Sequence, residues 1–103
     1  RDTAQIWLMN QAKSYGVSRF FSTAWSPPGW MKTNNSASNG GSLRTDKYQA
    51  YADYLSRYVR EYKNLFGIDI GWVSPTNEPG PYFYQSTEWT SAQLNSFITS
   101  YLK

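Results

Sequence analysis

Glu78 is the side chain in this sequence best placed for proton chemistry. It stands in Ser74-Pro75-Thr76-Asn77-Glu78-Pro79-Gly80-Pro81, directly after the apolar run Ile70-Gly71-Trp72-Val73. A carboxyl at the end of a strand can protonate a leaving oxygen and later take a proton from water, which is the work of a glycosidase acid. Such a group must hold its proton near neutral pH, through burial or through a neighbouring carboxylate. Asn77 offers an amide able to hold a sugar hydroxyl, in a bond that strengthens as positive charge develops on the ring. Pro79 confines Glu78 to extended backbone and so limits where its side chain points. The plainer reading is a polar turn with Glu78 merely solvated, since Asn-Glu-Pro alone recurs by chance.

A second peptide shares this character: Trp25-Ser26-Pro27-Pro28-Gly29-Trp30. Indole rings stack on the apolar faces of sugars, and the prolines fix the backbone so that rings are presented rather than packed. Trp25 is therefore a candidate wall of a sugar site, and Trp30 a weaker one; burial in a core is the ordinary fate of either. Lys32, Thr33, Asn34 and Asn35 follow as sugar contacts or as solvated loop. Asn34-Asn35-Ser36 also satisfies the N-glycosylation pattern, which matters only in a secreting eukaryote. Tyr82, Phe83, Tyr84 and Trp89 lie just after the candidate acid. Tyr84 is taken as a further substrate contact, while a helix start already accounts for Trp89.

Composition removes most other chemistries. The 103 residues contain neither Cys nor His, so thiolate nucleophiles, disulfides, imidazole bases and His or Cys metal sites are excluded together. Acid–base work falls to Asp, Glu, Tyr or Lys, and neither a metal nor a cofactor is expected. The net charge is +3, but Lys and Arg are scattered and form no stripe able to track a phosphate backbone, which speaks against nucleic acid as a partner. No apolar run reaches the length of a membrane span. Aromatic residues make up 18% of the chain, which suits either buried rings or sugar-stacking platforms.

The elements that must position these residues alternate. Asp2-Thr3 can cap a first helix whose apolar positions are Ile6, Met9, Ala12 and Tyr15, with Gly16 as its stop. A strand over about 17–24 follows, then a polar loop from Trp25 to Thr45. Tyr48, Tyr51, Ala52, Leu55, Val59, Tyr62 and Phe66 form one helical stripe, with Thr45 or Asp46 as its cap, Gly67 as its end, and Asp53, Arg57 and Glu61 spaced for mutual support on the polar side. A second strand covers about 68–76. Thr90 and Gln93 have capping-box spacing before a last helix through Leu94, Phe97, Ile98, Tyr101 and Leu102, still in register at Lys103. Helix, strand, helix, strand, helix is the order of parallel α/β architecture. In a parallel barrel the C-terminal strand ends share one face, and that face holds the active site. The topology thus delivers the Trp-rich turn and the Asn-Glu-Pro turn to one rim. Two strands make no complete sheet core, so the sequence reads as a partial domain over 1–103.

Trp25-Ser26-Pro27-Pro28-Gly29-Trp30-Met31-Lys32-Thr33-Asn34, then Asn39-Gly40-Gly41-Ser42-Leu43, a Tyr/Ala-rich helix and Asn77-Glu78-Pro79 together resemble glycoside hydrolase family 30. That family includes glucosylceramidases, endo-β-1,6-glucanases, galactanases and glucuronoxylan xylanases. The resemblance covers essentially the whole chain. It implies a fragment of a (β/α)8 TIM barrel around its third and fourth strands, and a secreted, retaining hydrolase of β-linked glycans completed by the remainder of the barrel. It assigns Glu78 as general acid/base, Asn77 as the ligand of the sugar 2-hydroxyl and Trp25 as a wall of the −1 subsite. The family's nucleophile is a second Glu on the seventh strand, to which neither Glu61 nor Glu88 corresponds. Retaining hydrolysis needs two carboxyls about 5–5.5 Å apart, so the 103-residue piece alone is expected to be inactive. The alternative is a non-catalytic carbohydrate-binding module. It accounts for the aromatic content but not for the βα alternation or for a carboxyl at a strand end.

Overall fold

The computed structural model describes residues 3–102. The expected cap at Asp2-Thr3 and the continuation at Lys103 lie outside what is described. Five elements carry the fold: α1 (Thr3–Ser14), β1 (Phe20–Thr23), α2 (Tyr48–Phe66), β2 (Ile70–Ser74) and α3 (Ser91–Phe97), the last running into a π-helical turn at Ile98–Leu102. Short 3-10 turns at Gly29–Met31 and Thr45–Lys47 punctuate the long loop before α2. This is the expected order of elements, and β1 and β2 pair in parallel.

Helix ends follow backbone chemistry. At the end of α1, Gly16 takes φ +100, its N–H reaches the Lys13 carbonyl at 3.0 Å, and the Val17 N–H reaches Ala12 at 3.1 Å. That pair of bonds is a Schellman closure, which uses a left-handed residue to satisfy the last carbonyls. It releases residues 17–19 into a connector, so β1 is shorter than the expected 17–24, just as β2 is shorter than 68–76. It also leaves Tyr15 past the helix and exposed rather than in the stripe. Gly67 ends α2 with φ +66, as expected. Neither Thr45 nor Asp46 caps α2; Lys47 holds the N-cap position without a side-chain bond, and the Asp46 carboxylate accepts from Arg44 at 2.9 Å instead. On the polar face Arg57 approaches Glu61 at 3.8 Å, while Asp53 accepts from Gln49 at 2.9 Å. The box on α3 is complete: Thr90 Oγ1 accepts from the Gln93 N–H at 3.1 Å, and Gln93 Oε1 from the Thr90 N–H at 3.0 Å.

α2 organises the core. Its stripe buries Tyr48, Tyr51, Ala52, Leu55 and Tyr62, with Val59 and Phe66 half-buried. Toward the strands' C-terminal end, Tyr51 and Leu55 pack with Met31 and Leu43 of the loop before α2 and with Phe97 of α3, and half-buried Trp89 of the loop after β2 packs against them, which roots both loops on the helix. At the other end Tyr62 packs with Ile68 and Ile70, against Ile6 and Met9 of α1. Fully burying an apolar side chain contributes roughly 1.5–3 kcal/mol, so the loop before α2 is anchored by Met31 and Leu43 in this core, and the loop after β2 by Trp89 packed against it.

Candidate active site

The strand register sets the site. Thr23 lies opposite Ser74, and the Ala24 N–H donates to the Ser74 carbonyl at 2.9 Å. The two chains therefore leave the sheet side by side, one into Trp25-Ser26, the other into Pro75-Thr76-Asn77-Glu78. The second turn is held from below by Tyr51 of α2, whose buried hydroxyl donates to the Pro75 carbonyl at 2.6 Å. Within it, Ser74 Oγ donates to the Thr76 carbonyl at 2.7 Å.

Three of the residues singled out in the sequence meet here. The Tyr84 hydroxyl donates to Glu78 Oε1 at 3.0 Å. The same ring meets Trp25 edge-on, centroids 5.7 Å apart at 66°. Tyr82 stacks on Tyr84 at 5.1 Å and 8°, and Phe83 meets it edge-on at 5.7 Å. Trp25 is 50% exposed and Phe83 84% exposed, so this is an open aromatic rim rather than a core. Partial loss of solvent raises the Tyr84 phenol above its ordinary value, and the hydrogen bond to Glu78 and the carboxylate's charge raise it further. Glu78 itself is exposed and its neighbour is a phenol, so neither burial nor a second carboxylate is supplied to it by the described residues. Asn77 is half-buried at the same turn.

Trp30 stands apart from these contacts. It lies on the 3-10 turn, 56% exposed, with Lys47 Nζ 5.7 Å from its ring centroid. Lys32, Thr33 and Asn34 lace the loop: Lys32 is buried, whereas Thr33 and Asn34 make their bonds within the loop at its exposed surface. Lys32 is 2% exposed, and its ammonium donates to the carbonyls of Ser86 and, at 3.3 Å, Ala37. Burial pulls its pKa below the ordinary lysine value, partly opposed by the charge of Glu88. Thr33 and Ser42 exchange bonds at 2.8 and 3.0 Å. Asn34 Nδ2 is directed at the carbonyls of Ser38, Gly40 and Asn39, so a glycan on that nitrogen would break the loop's own bonding.

The lacing joins the two rim loops to each other. Glu88 accepts from the Gly41 N–H at 3.1 Å through its carboxylate and returns its own N–H to the Gly41 carbonyl at 2.6 Å. Ser86 Oγ accepts from the Gly40 N–H at 2.9 Å. Both glycines have φ +74, and a Cβ on Gly40 would lie 2.7 Å from the Pro81 Cα, so only glycine allows so close an approach. Sequence reasoning left Lys32 and Glu88 without this part, because the partners that join them to the other loop are backbone groups about fifty residues away in sequence. A groove of about 260 Å³ between α1, β1 and α2 is lined by Ser22, Thr23, Tyr54 and Tyr58 and does not include Glu78. Among the described residues no three Asp or Glu side chains gather as a metal ion would require, and no helix is long and apolar enough to cross a membrane.

With this geometry in hand, similarity to known proteins is informative. The family described as O-Glycosyl hydrolase family 30 matches residues 1–103. Putative glucosylceramidase 3 of Caenorhabditis elegans is 32% identical over 96 residues, covering 87% of this chain and 18% of the relative. Glucuronoxylanase XynC of Bacillus subtilis is 33% identical over 81 residues, covering 76% of this chain and 19% of the relative. Among solved structures, the catalytic domain of the GH30 xylanase C from Talaromyces cellulolyticus superposes with a TM-score of 0.83 at 40% identity, over 91% of this chain and 24% of that one. The chain thus spans about a fifth of the length of these curated relatives.

Proposed function

The chain belongs to O-glycosyl hydrolase family 30, and from that premise we propose that it is the part of a β-glycan hydrolase that supplies the general acid/base. The carrying observation is the contact of one phenol with both Glu78 and Trp25, which sets a carboxyl beside an exposed indole at the ends of two parallel strands. In the larger protein these strands are neighbours in a (β/α)8 barrel, whose C-terminal rim is where such an enzyme acts.

Protonated Glu78 delivers its proton to the glycosidic oxygen as the bond to the anomeric carbon breaks and its electron pair stays on that oxygen. A second carboxylate, from elsewhere in the larger protein, attacks the anomeric carbon from the opposite side. Glu78, now ionised, takes a proton from the water that releases the sugar, with retention of configuration. Trp25 walls the sugar whose bond is cut, Asn77 holds its 2-hydroxyl, and Trp30 is a weaker, more distant contact. The substrate is a glucan, galactan, xylan or glucosylceramide-type glycoside, and with only one of the two catalytic carboxyls the 103 residues alone turn over none of them.

Glu78→Gln in the full-length protein tests this. Removing a general acid/base lowers turnover by about 10²–10⁴-fold, while binding of the β-glycan persists. Unchanged turnover overturns the reading and favours a binding module.

A further inference from the structure

The Tyr84 hydroxyl, on a ring expected to contact substrate, is directed at a protein atom, Glu78 Oε1. We propose that Tyr84 is a positioning residue for the acid: by holding Glu78 Oε1 it leaves Oε2 as the oxygen that carries and delivers the proton. This rests on the reading of Glu78 as general acid/base.

The bond is 3.0 Å from Tyr84 Oη to Glu78 Oε1, within ordinary hydrogen-bond range. The ring that carries the hydroxyl is bounded by Tyr82 on one face and by Trp25 and Phe83 at its edges, and the Tyr84 carbonyl accepts from the Asn39 N–H at 3.3 Å. The donor is thus fixed by two loops and not by Glu78 alone. In a protonated carboxyl the carbonyl oxygen is the better acceptor, so a donor at Oε1 places the acid proton on Oε2. In the ionised form the same donor stabilises the negative charge, which favours release of the proton to the leaving oxygen. When water later returns a proton, it arrives at Oε2, and the carboxyl is reset without rotating. The phenol, held above its ordinary value, keeps its own proton through the working range. Among the described residues, Tyr84 and, behind it, Tyr82 are the titratable groups placed at this carboxyl. Lys32 and Glu88 are committed to the carbonyl of Ser86 and the N–H of Gly41.

The experiment compares the full-length parent, Tyr84→Phe and Glu78→Gln, measuring kcat/KM against pH. Two substrates are used: a β-linked oligosaccharide, and an aryl β-glycoside whose phenolate leaves without a proton. Phenylalanine keeps the ring and removes only the donor, and a melting curve checks that the variant is folded. The alkaline limb, which reports loss of the acid's proton, is expected to move up in Tyr84→Phe, because the variant lacks the donor that favours the ionised carboxyl. Turnover of the oligosaccharide falls about tenfold, and that of the aryl glycoside falls far less. A limb that stays in place, or equal losses on both substrates, with Glu78→Gln inactive on the oligosaccharide, overturns the positioning role alone. Glu78→Gln with full activity overturns the acid assignment and this role with it.

Discussion

Gly80 shows how closely the rim is packed around the acid. A Cβ at this position would lie 2.6 Å from Cε2 and 2.9 Å from Cζ of Tyr82, so Gly80→Ala must displace that ring. Tyr82 is the ring stacked on Tyr84, and Tyr84 holds Glu78. The expected outcome in the full-length protein is a two- to fivefold loss of kcat/KM on a β-linked oligosaccharide, since small misplacements at a reacting group are costly. A matching but smaller rise of the alkaline limb than in Tyr84→Phe should accompany it. A normal profile would mean that Tyr82 moves aside without disturbing Tyr84. Strand-end position and residue type pointed in the sequence to Trp25, Trp30, Asn77, Glu78 and Tyr84 as one group, of which Trp30 lies apart beside Lys47. They did not reveal which of these residues touch. Glu78 and Tyr84 are six residues apart in a loop, where no periodicity says which atoms meet.

At the scale of elements, α2 is what connects the core to the chemistry. Tyr51 sits in its buried stripe, and its hydroxyl donates to the Pro75 carbonyl at the start of the acid-bearing turn. Tyr51→Phe strands that buried carbonyl and is expected to lower the stability of the full-length protein by about 1–3 kcal/mol at neutral pH. Burial raises the Tyr51 phenol above its usual value. A group whose folded pKa is raised contributes stability that is complete below its unfolded value, roughly 10, and fades as pH climbs above it. Phenylalanine does not ionise, so the deficit of the variant should narrow above about pH 10. Denaturant unfolding at pH 7 and at about 10.5 checks the sign, and a deficit that widens would refute it. The α2 stripe and the α3 box were legible because periodicity and capping chemistry are local. The α2 cap was not, because Asp46 has a competing partner in Arg44 two residues away. Nor was the start of β1, because the Schellman closure after α1 uses up the first residues of the expected strand.

The whole molecule poses a different question at the face of the sheet turned from the helices. Phe20 and Ile70 lie on the helix side, in or against the core; a register shift follows them, past Gly71, and Phe21 and Trp72 then pair with each other on the other side. Those two are 65% and 55% exposed, and Trp72 has the Arg19 guanidinium 5.2 Å from its ring centroid. Two large apolar side chains side by side on a two-stranded sheet are unusual as a solvent surface. Barrel strands have inward-facing residues that are packed in layers, and the curated relatives are about five times longer than this chain. The expectation is that Phe21 and Trp72 are core residues in the full-length protein. Phe21→Ala and Trp72→Ala should then each cost about 3–5 kcal/mol, the loss of a buried aromatic, with little change in KM if the protein still folds. A surface position would cost no more than about 0.5 kcal/mol. Equilibrium unfolding of the two variants decides between these by a margin well outside measurement error. Losses at the surface value would mean that this face meets solvent, and the barrel placement of both strands, with the shared rim that brings Trp25 to Glu78, would lose its structural basis.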